Sequence, residues 1–116
     1  MKISYFLHWI CNGSWQGGAA VLVSSSFPIN FPFEFTFRIP DGLSVYYSEA
    51  FAILQALNIV KKYNLMKTLI ISDASMVIHD IKYRDVEKPP HPHILNQICN
   101  NIDQCKMLQY CGFLDT

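Results

Sequence analysis

The sequence predicts an α/β fold, a mixed five-stranded sheet with flanking helices. Three observations carry that expectation. Phe33, Phe35, Phe37 and Ile39 alternate with Glu34, Thr36 and Arg38, the period of a strand with one buried face. Ala50, Ile53, Leu54, Leu57 and Val60 then recur at three- and four-residue spacing, the stripe of an amphipathic helix. The apolar run Leu69-Ile70-Ile71 follows, as in a strand covered on both faces. A strand, a helix and a strand in that order fit a crossover onto a parallel neighbour.

Taken in order, Ile3 to Cys11 reads as a central strand, apolar almost throughout. Asn12 to Gly17 has turn chemistry. Gly18 to Ser25 is a second strand, with Val21 and Val23 on one face, and the alternating Phe33–Ile39 segment is the third. Short links make these three an antiparallel meander. Pro40-Asp41-Gly42 closes it, and Ser44 is placed to cap the helix that runs on to Lys61 and Lys62, cations suited to a helix C-terminus. Lys67 to Asp73 is a fourth strand, parallel to the first. Ser75 to Tyr83 is a short helix, and Arg84 to Pro92 a proline-bearing link. His93 to Cys105 is a further helix, buried along Ile94, Leu95, Ile98 and Ile102. Met107 to Phe113 begins a fifth strand, expected to be parallel to the first.

The bulk properties bound the function. A chain of 116 residues fits one domain, positions 1–116, and buries roughly two-thirds of its unfolded surface. With 51% hydrophobic and 16% charged residues it is globular in composition. No apolar run reaches the ~18 residues of a membrane helix. Tyr5, His8 and Trp9 interrupt the only signal-like stretch, so intracellular residence is expected. A net charge of zero argues against a strong free-standing grip on nucleic acid. Cys11, Cys99, Cys105 and Cys111 form no C-x-x-C pair and read as reduced thiols; with His91 and His93 they match no common zinc spacing.

Three positions carry the chemistry: Asn12, Glu49 and Asp73. If the first and fourth strands are parallel neighbours, Asn12 and Asp73 emerge at one carboxyl end of the sheet, where open α/β sheets bind ligands. Glu49 heads the stripe Ile53, Ala56, Val60, an inward-facing position that is expensive for a carboxylate without a cation or hydrogen bonds. Convergent oxygen donors suit Mg²⁺ or Mn²⁺. Each residue also has an ordinary reading. Asn12-Gly13 is turn chemistry, Glu49 a partner of the helix dipole, and Asp73 a cap for the next helix.

Gly13-Ser14, Gly18-Ala19-Ala20-Val21, Ser44 to Leu54, Ile71-Ser72-Asp73-Ala74-Ser75 and His91-Pro92 together resemble a type 1 ribonuclease H domain, of the kind found in non-LTR retrotransposon polyproteins. The resemblance runs from about Ile3 to Cys111. It implies a ribonuclease H-like mixed sheet, and hydrolysis of RNA in RNA–DNA hybrids by two Mg²⁺ or Mn²⁺ ions. It also implies hybrid recognition through groove shape, phosphates and 2′-hydroxyls. Asn12, Glu49 and Asp73 fall where the family has its first three acids. Asn12 departs from the pattern, since a neutral amide cannot be an anionic bridge between two cations. The expected final helix, with the fourth acid, is missing from the sequence. The resemblance therefore implies an impaired nuclease. The alternative is a non-catalytic, retrotransposon-derived remnant that at most binds nucleic acid or protein.

Overall fold

The structure is a computed structural model that describes residues 8–15, 18–25, 33–40, 43–64, 68–83, 91–108 and 111–115. It describes side chains at positions 18, 20, 21, 34–40, 43–64, 68–83 and 91–105. Five strands, β1 (His8–Trp15), β2 (Gly18–Ser25), β3 (Phe33–Arg38), β4 (Thr68–Ser72) and β5 (Cys111–Asp115), form one sheet in the order β3-β2-β1-β4-β5. Three helices, α1 (Val45–Lys62), α2 (Ser75–Lys82) and α3 (Pro92–Leu108), complete the element list. The β1–β2 and β2–β3 pairs are antiparallel, and β1–β4 and β4–β5 are parallel. This is the mixed sheet the sequence predicts, with the crossover through α1 setting β4 beside β1.

The first strand differs from expectation. The sequence places a turn from Asn12 to Gly17, but β1 continues through Asn12, Gly13 and Ser14 to Trp15. Asn12 pairs with Val21, Gly13 with Ala20 and Trp15 with Gly18. Asn, Gly and Ser favour turns locally, but strand preference depends on what lies alongside, and here β2 offers a full-length partner. Residues 1–7, which include the expected start of this strand, lie outside the described residues, as do 16–17.

Along β3 the alternation holds: Glu34, Thr36 and Arg38 are exposed, while Phe35 and Phe37 are half-buried against the core and Ile39 is buried. Helix α1 starts where Ser44 predicts. Ser44 has extended backbone, and its hydroxyl accepts the Tyr47 N–H at 3.1 Å. The helix ends with Tyr63 as C-cap and Asn64 at φ 52°, a left-handed position that Asn tolerates better than most residues.

Helix α3 starts one residue earlier than expected, at Pro92. Proline suits a first helical position, because its missing N–H would have no intrahelical partner. It also ends later. Ile94, Leu95, Ile98, Ile102 and Cys105 are buried, and the same period reaches Leu108. Met107 is therefore helical, and the strand expected from Met107 begins instead at Cys111.

The main core lies between the sheet and the helices. It joins Val21 and Ile70 to Ala50, Ile53, Ala56, Leu57 and Val60 of α1, Val77 and Ile78 of α2, and Ile94, Leu95, Ile98 and Ile102 of α3. Each fully buried Leu, Ile or Val here contributes about 1.5–3 kcal/mol relative to exposure. Helix α1 lies across β1 and β2 and packs along α3. A smaller cluster sets Ile39 and Ala52 with Phe37, Tyr47 and Phe51, the Phe37 and Phe51 rings meeting edge-on at 6.1 Å. Tyr46, Tyr47, Phe35 and Phe37 are half-buried against the core. The side chains of Trp15 and of residues 27–33 lie outside the described residues. No described helix is long and apolar enough to cross a membrane.

Candidate functional site

The parallel β1–β4 pairing brings the first and third candidate positions to one end of the sheet. Its last pair is Cys11 with Ile71; Asn12 follows that pair by one residue and Asp73 by two. Asn12 therefore lies at the carboxyl end of the β1–β4 ladder, yet inside the β1–β2 ladder. Its register partner Val21 is fully buried beneath α1. The side chain of Asn12 lies outside the described residues.

Glu49 comes from the other layer. Ile53, Ala56 and Val60 are wholly buried, and Glu49, on the same stripe one turn nearer the N-terminus, is half-buried. Burial holds the Glu49 carboxyl above its ordinary pKa, and the charge of Asp73 raises it further. The second cause shows that the two carboxylates are near enough to interact, although 24 positions separate them in sequence. Asp73 itself is exposed, just past β4.

The ordinary readings of these residues fail one by one. Asn12-Gly13 is paired strand rather than turn. Helix α1 has no acidic residue in its first turn, and Glu49 is its fifth residue, too far in to be a dipole partner of the free N–H groups. The N-cap of α2 is Ala74, without a side-chain cap bond, so Asp73 does not cap that helix. The turn after β4 is held by other groups. The buried Ser72 hydroxyl accepts the Ala74 N–H at 3.1 Å, and the Asp73 carbonyl accepts the Ser75 N–H at 2.9 Å.

Sequence reasoning missed the residues that frame this corner. The Tyr46 hydroxyl donates to Asp80 Oδ2 at 2.6 Å, tying α1 to α2. Asp80 is only 6% exposed, and its other oxygen lies 3.6 Å from His79 Nδ1. Burial and the Asp80 carboxylate hold the Tyr46 phenol well above its ordinary value of 10.0, so it stays a donor. His91 Nε2 lies 2.8 Å from Ser44 Oγ; its ring stacks on Tyr46 and meets Tyr47 edge-on, with centroids 6.0 and 5.2 Å away. The one available signal was Asp80 itself, which falls on the buried stripe of α2 with Val77 and Ile81.

Two carboxylates, one of them destabilised as an anion by burial and by its neighbour, are a site whose charge a hard cation relieves. Glu49 and Asp73 fit one divalent ion in chemistry. Among the described residues no group of three His, Cys, Asp or Glu is placed to hold a metal, and position 12 adds only a neutral amide. Zinc has no place at His91, Cys99 and Cys105 on the same ground. Neither cysteine is in a disulfide, and burial pushes the Cys105 thiol up against the opposing charge of Lys61. Of the lysines that could meet phosphate, Lys61 donates instead to Asn101 and Gln104, and the ammonium of Lys62 lies 5.5 Å from the Tyr63 ring centre.

Comparison with known proteins bears on the family and the fold. Residues 11–110 match the family described as Reverse transcriptase-like. No curated protein matches the chain. Among solved structures it is similar to ribonuclease H1 of Halobacterium salinarum, at 10% identity and TM-score 0.68, over 94% of this chain and 83% of that one. It is similar to LC11 ribonuclease H1, isolated from compost by a metagenomic approach and solved with an RNA/DNA hybrid, at 12% identity and TM-score 0.67, over 93% and 83%. It is also similar to part of the prototype foamy virus protease–reverse transcriptase, at 9% identity and TM-score 0.74, over 100% of this chain and 18% of that one. At these identities the likeness is one of fold.

Proposed function

The chain belongs to the reverse transcriptase-like family and has the ribonuclease H fold, and on that premise we propose that it binds RNA–DNA hybrids and retains an impaired, metal-dependent ribonuclease H site. The observation that carries this reading is the β1–β4 register, which brings Asn12 and Asp73 to one carboxyl end of the sheet, with half-buried Glu49 on α1 held above its ordinary pKa by burial and then by the charge of Asp73. Glu49 and Asp73 would hold Mg²⁺ or Mn²⁺, with the Asn12 amide oxygen as a neutral third donor. Bound there, a divalent ion would supply activation of a water and charge stabilisation of a leaving oxygen. The protein's own part is to keep the two carboxylates at the open end of the sheet, Glu49 half-buried and Asp73 exposed.

The amide at position 12 is the weak point. A pair of dications held by one negative charge fewer binds less tightly, and this favours the second reading, a retrotransposon-derived module that binds nucleic acid without cutting it. The hybrid held by LC11 ribonuclease H1 supports the ligand class, and the 18% share of the foamy virus chain supports work within a longer polyprotein. A net charge of zero makes a grip supplied by such a neighbour the more natural arrangement.

The test is cleavage of a labelled hybrid with Mg²⁺ or Mn²⁺ by the parent chain, Asn12→Asp and Asp73→Ala. The parent is expected to cut slowly, Asn12→Asp at least about tenfold faster, consistent with loss of an electrostatic contribution of 1.4 kcal/mol or more. Asp73→Ala should not cut. Binding without cleavage in both parent and Asn12→Asp supports the second reading.

A further inference from the structure

We propose that the Tyr46–Asp80 hydrogen bond is a positioning strut for the acid pair, fixing the helix that carries Glu49 against the segment that carries Asp73. The inference rests on the proposed metal site and adds to it two residues outside the acid set. Tyr46 lies three residues before Glu49, on the same side of α1. Asp80 lies seven residues after Asp73, on the helix that Asp73 leads into. The 2.6 Å bond thus closes a loop: Glu49 to Tyr46 along α1, Tyr46 to Asp80 across the gap, Asp80 to Asp73 along α2.

A buried carboxylate is a poor choice for stability alone. An apolar pair of similar volume commonly holds two helices as well or better, whereas a charge-assisted hydrogen bond defines one distance. The groups around the bond limit its freedom further. The Tyr46 ring rests on His91, which Ser44 engages at the N-cap of the same helix, and His79 approaches the second oxygen of Asp80. The first turn of α1 is therefore held from α2 and from the start of α3 together. Two like-charged carboxylates that repel one another need such restraint if they are to meet a cation without reorganising.

The experiment reads Mn²⁺ affinity by calorimetry and electron paramagnetic resonance, in the parent and in an Asn12→Asp background, at a temperature where circular dichroism shows every variant folded. Tyr46→Phe keeps the ring and removes the bond; it should weaken Mn²⁺ binding about tenfold, the lower range for loss of a supporting group behind a metal ligand. Asp80→Asn keeps an acceptor for the Tyr46 hydroxyl and should bind close to its background. Lys61→Met, which cuts the α1–α3 link at the other end of the helix, should leave Mn²⁺ affinity unchanged. Unchanged affinity in Tyr46→Phe, or equal weakening by Tyr46→Phe and Lys61→Met, overturns the strut while the metal site stands. Absence of Mn²⁺ binding even in Asn12→Asp overturns the metal site and the strut with it.

Discussion

The two ends of α1 are both tied to neighbouring helices, but by different chemistry. At the C-terminal end Lys61 donates to Asn101 Oδ1 at 3.0 Å and Gln104 Oε1 at 2.6 Å, and Asn101 donates to Asn58 at 3.2 Å, all exposed. At the N-terminal end the ties are mixed: half-buried Tyr46 meets buried Asp80, exposed Ser44 meets half-buried His91, and half-buried Glu49 faces the charge of an exposed Asp73. Exposed ties compete with water and contribute little net. Groups shielded from water are costly when unpaired and exact about their partners. The end that holds the candidate site is the one where a carboxylate, that of Asp80, is buried.

Stability measurements can break this comparison. The largest effect is expected from Tyr46→Phe, which leaves the buried Asp80 carboxylate short of a donor. Urea unfolding should show a loss of about 1–3 kcal/mol, and a loss below that range would mean water replaces the hydroxyl. Ser44→Ala removes the N-cap acceptor of α1 and the partner of His91. It should cost about 1 kcal/mol by the same measurement. Lys61→Met, at the opposite end, should cost less than about 1 kcal/mol, in keeping with an exposed link. If Lys61→Met proves as damaging as Tyr46→Phe, the contrast between the two ends is wrong.

The smallest effect depends on pH. Burial and then Asp73 favour the protonated form of Glu49, so the folded chain binds that proton more tightly than the unfolded chain does. Stability from this group is present below the ordinary value of 4.5 and is lost as pH rises through the higher folded value. Glu49→Gln should flatten this part of the profile. Midpoints of urea unfolding at pH 4 and pH 7 should therefore differ less in Glu49→Gln than in the parent. Added Mn²⁺ should restore stability to the parent at pH 7 and not to the variant.

Much of the architecture was legible because it follows from periodicity. The alternation along Phe33–Ile39 and the stripe through Ala50, Ile53, Leu57 and Val60 each state one element and its buried face, and Ser44 states where the helix begins. The site was legible in part, through Glu49 at the head of an inward stripe. The errors have a common cause. Asn12-Gly13 has turn chemistry until β2 pairs with it, and Met107 suits a strand until Cys105 and Leu108 continue the period of α3. Local composition leaves both choices open, and the neighbouring element decides.

By itself the sequence determined the element types, the crossover that makes β4 parallel to β1, and the candidacy of Asn12, Glu49 and Asp73. Only the tertiary structure decided that Glu49 and Asp73 feel one another's charge. It alone decided that Tyr46 meets Asp80 and that Ser44 meets His91, across 34 and 47 positions. The reason is physical. Periodicity is a property of consecutive residues and survives in a string of letters, whereas an electrostatic or hydrogen-bonded contact is a distance, and distances across the sheet exist only once the layers have packed.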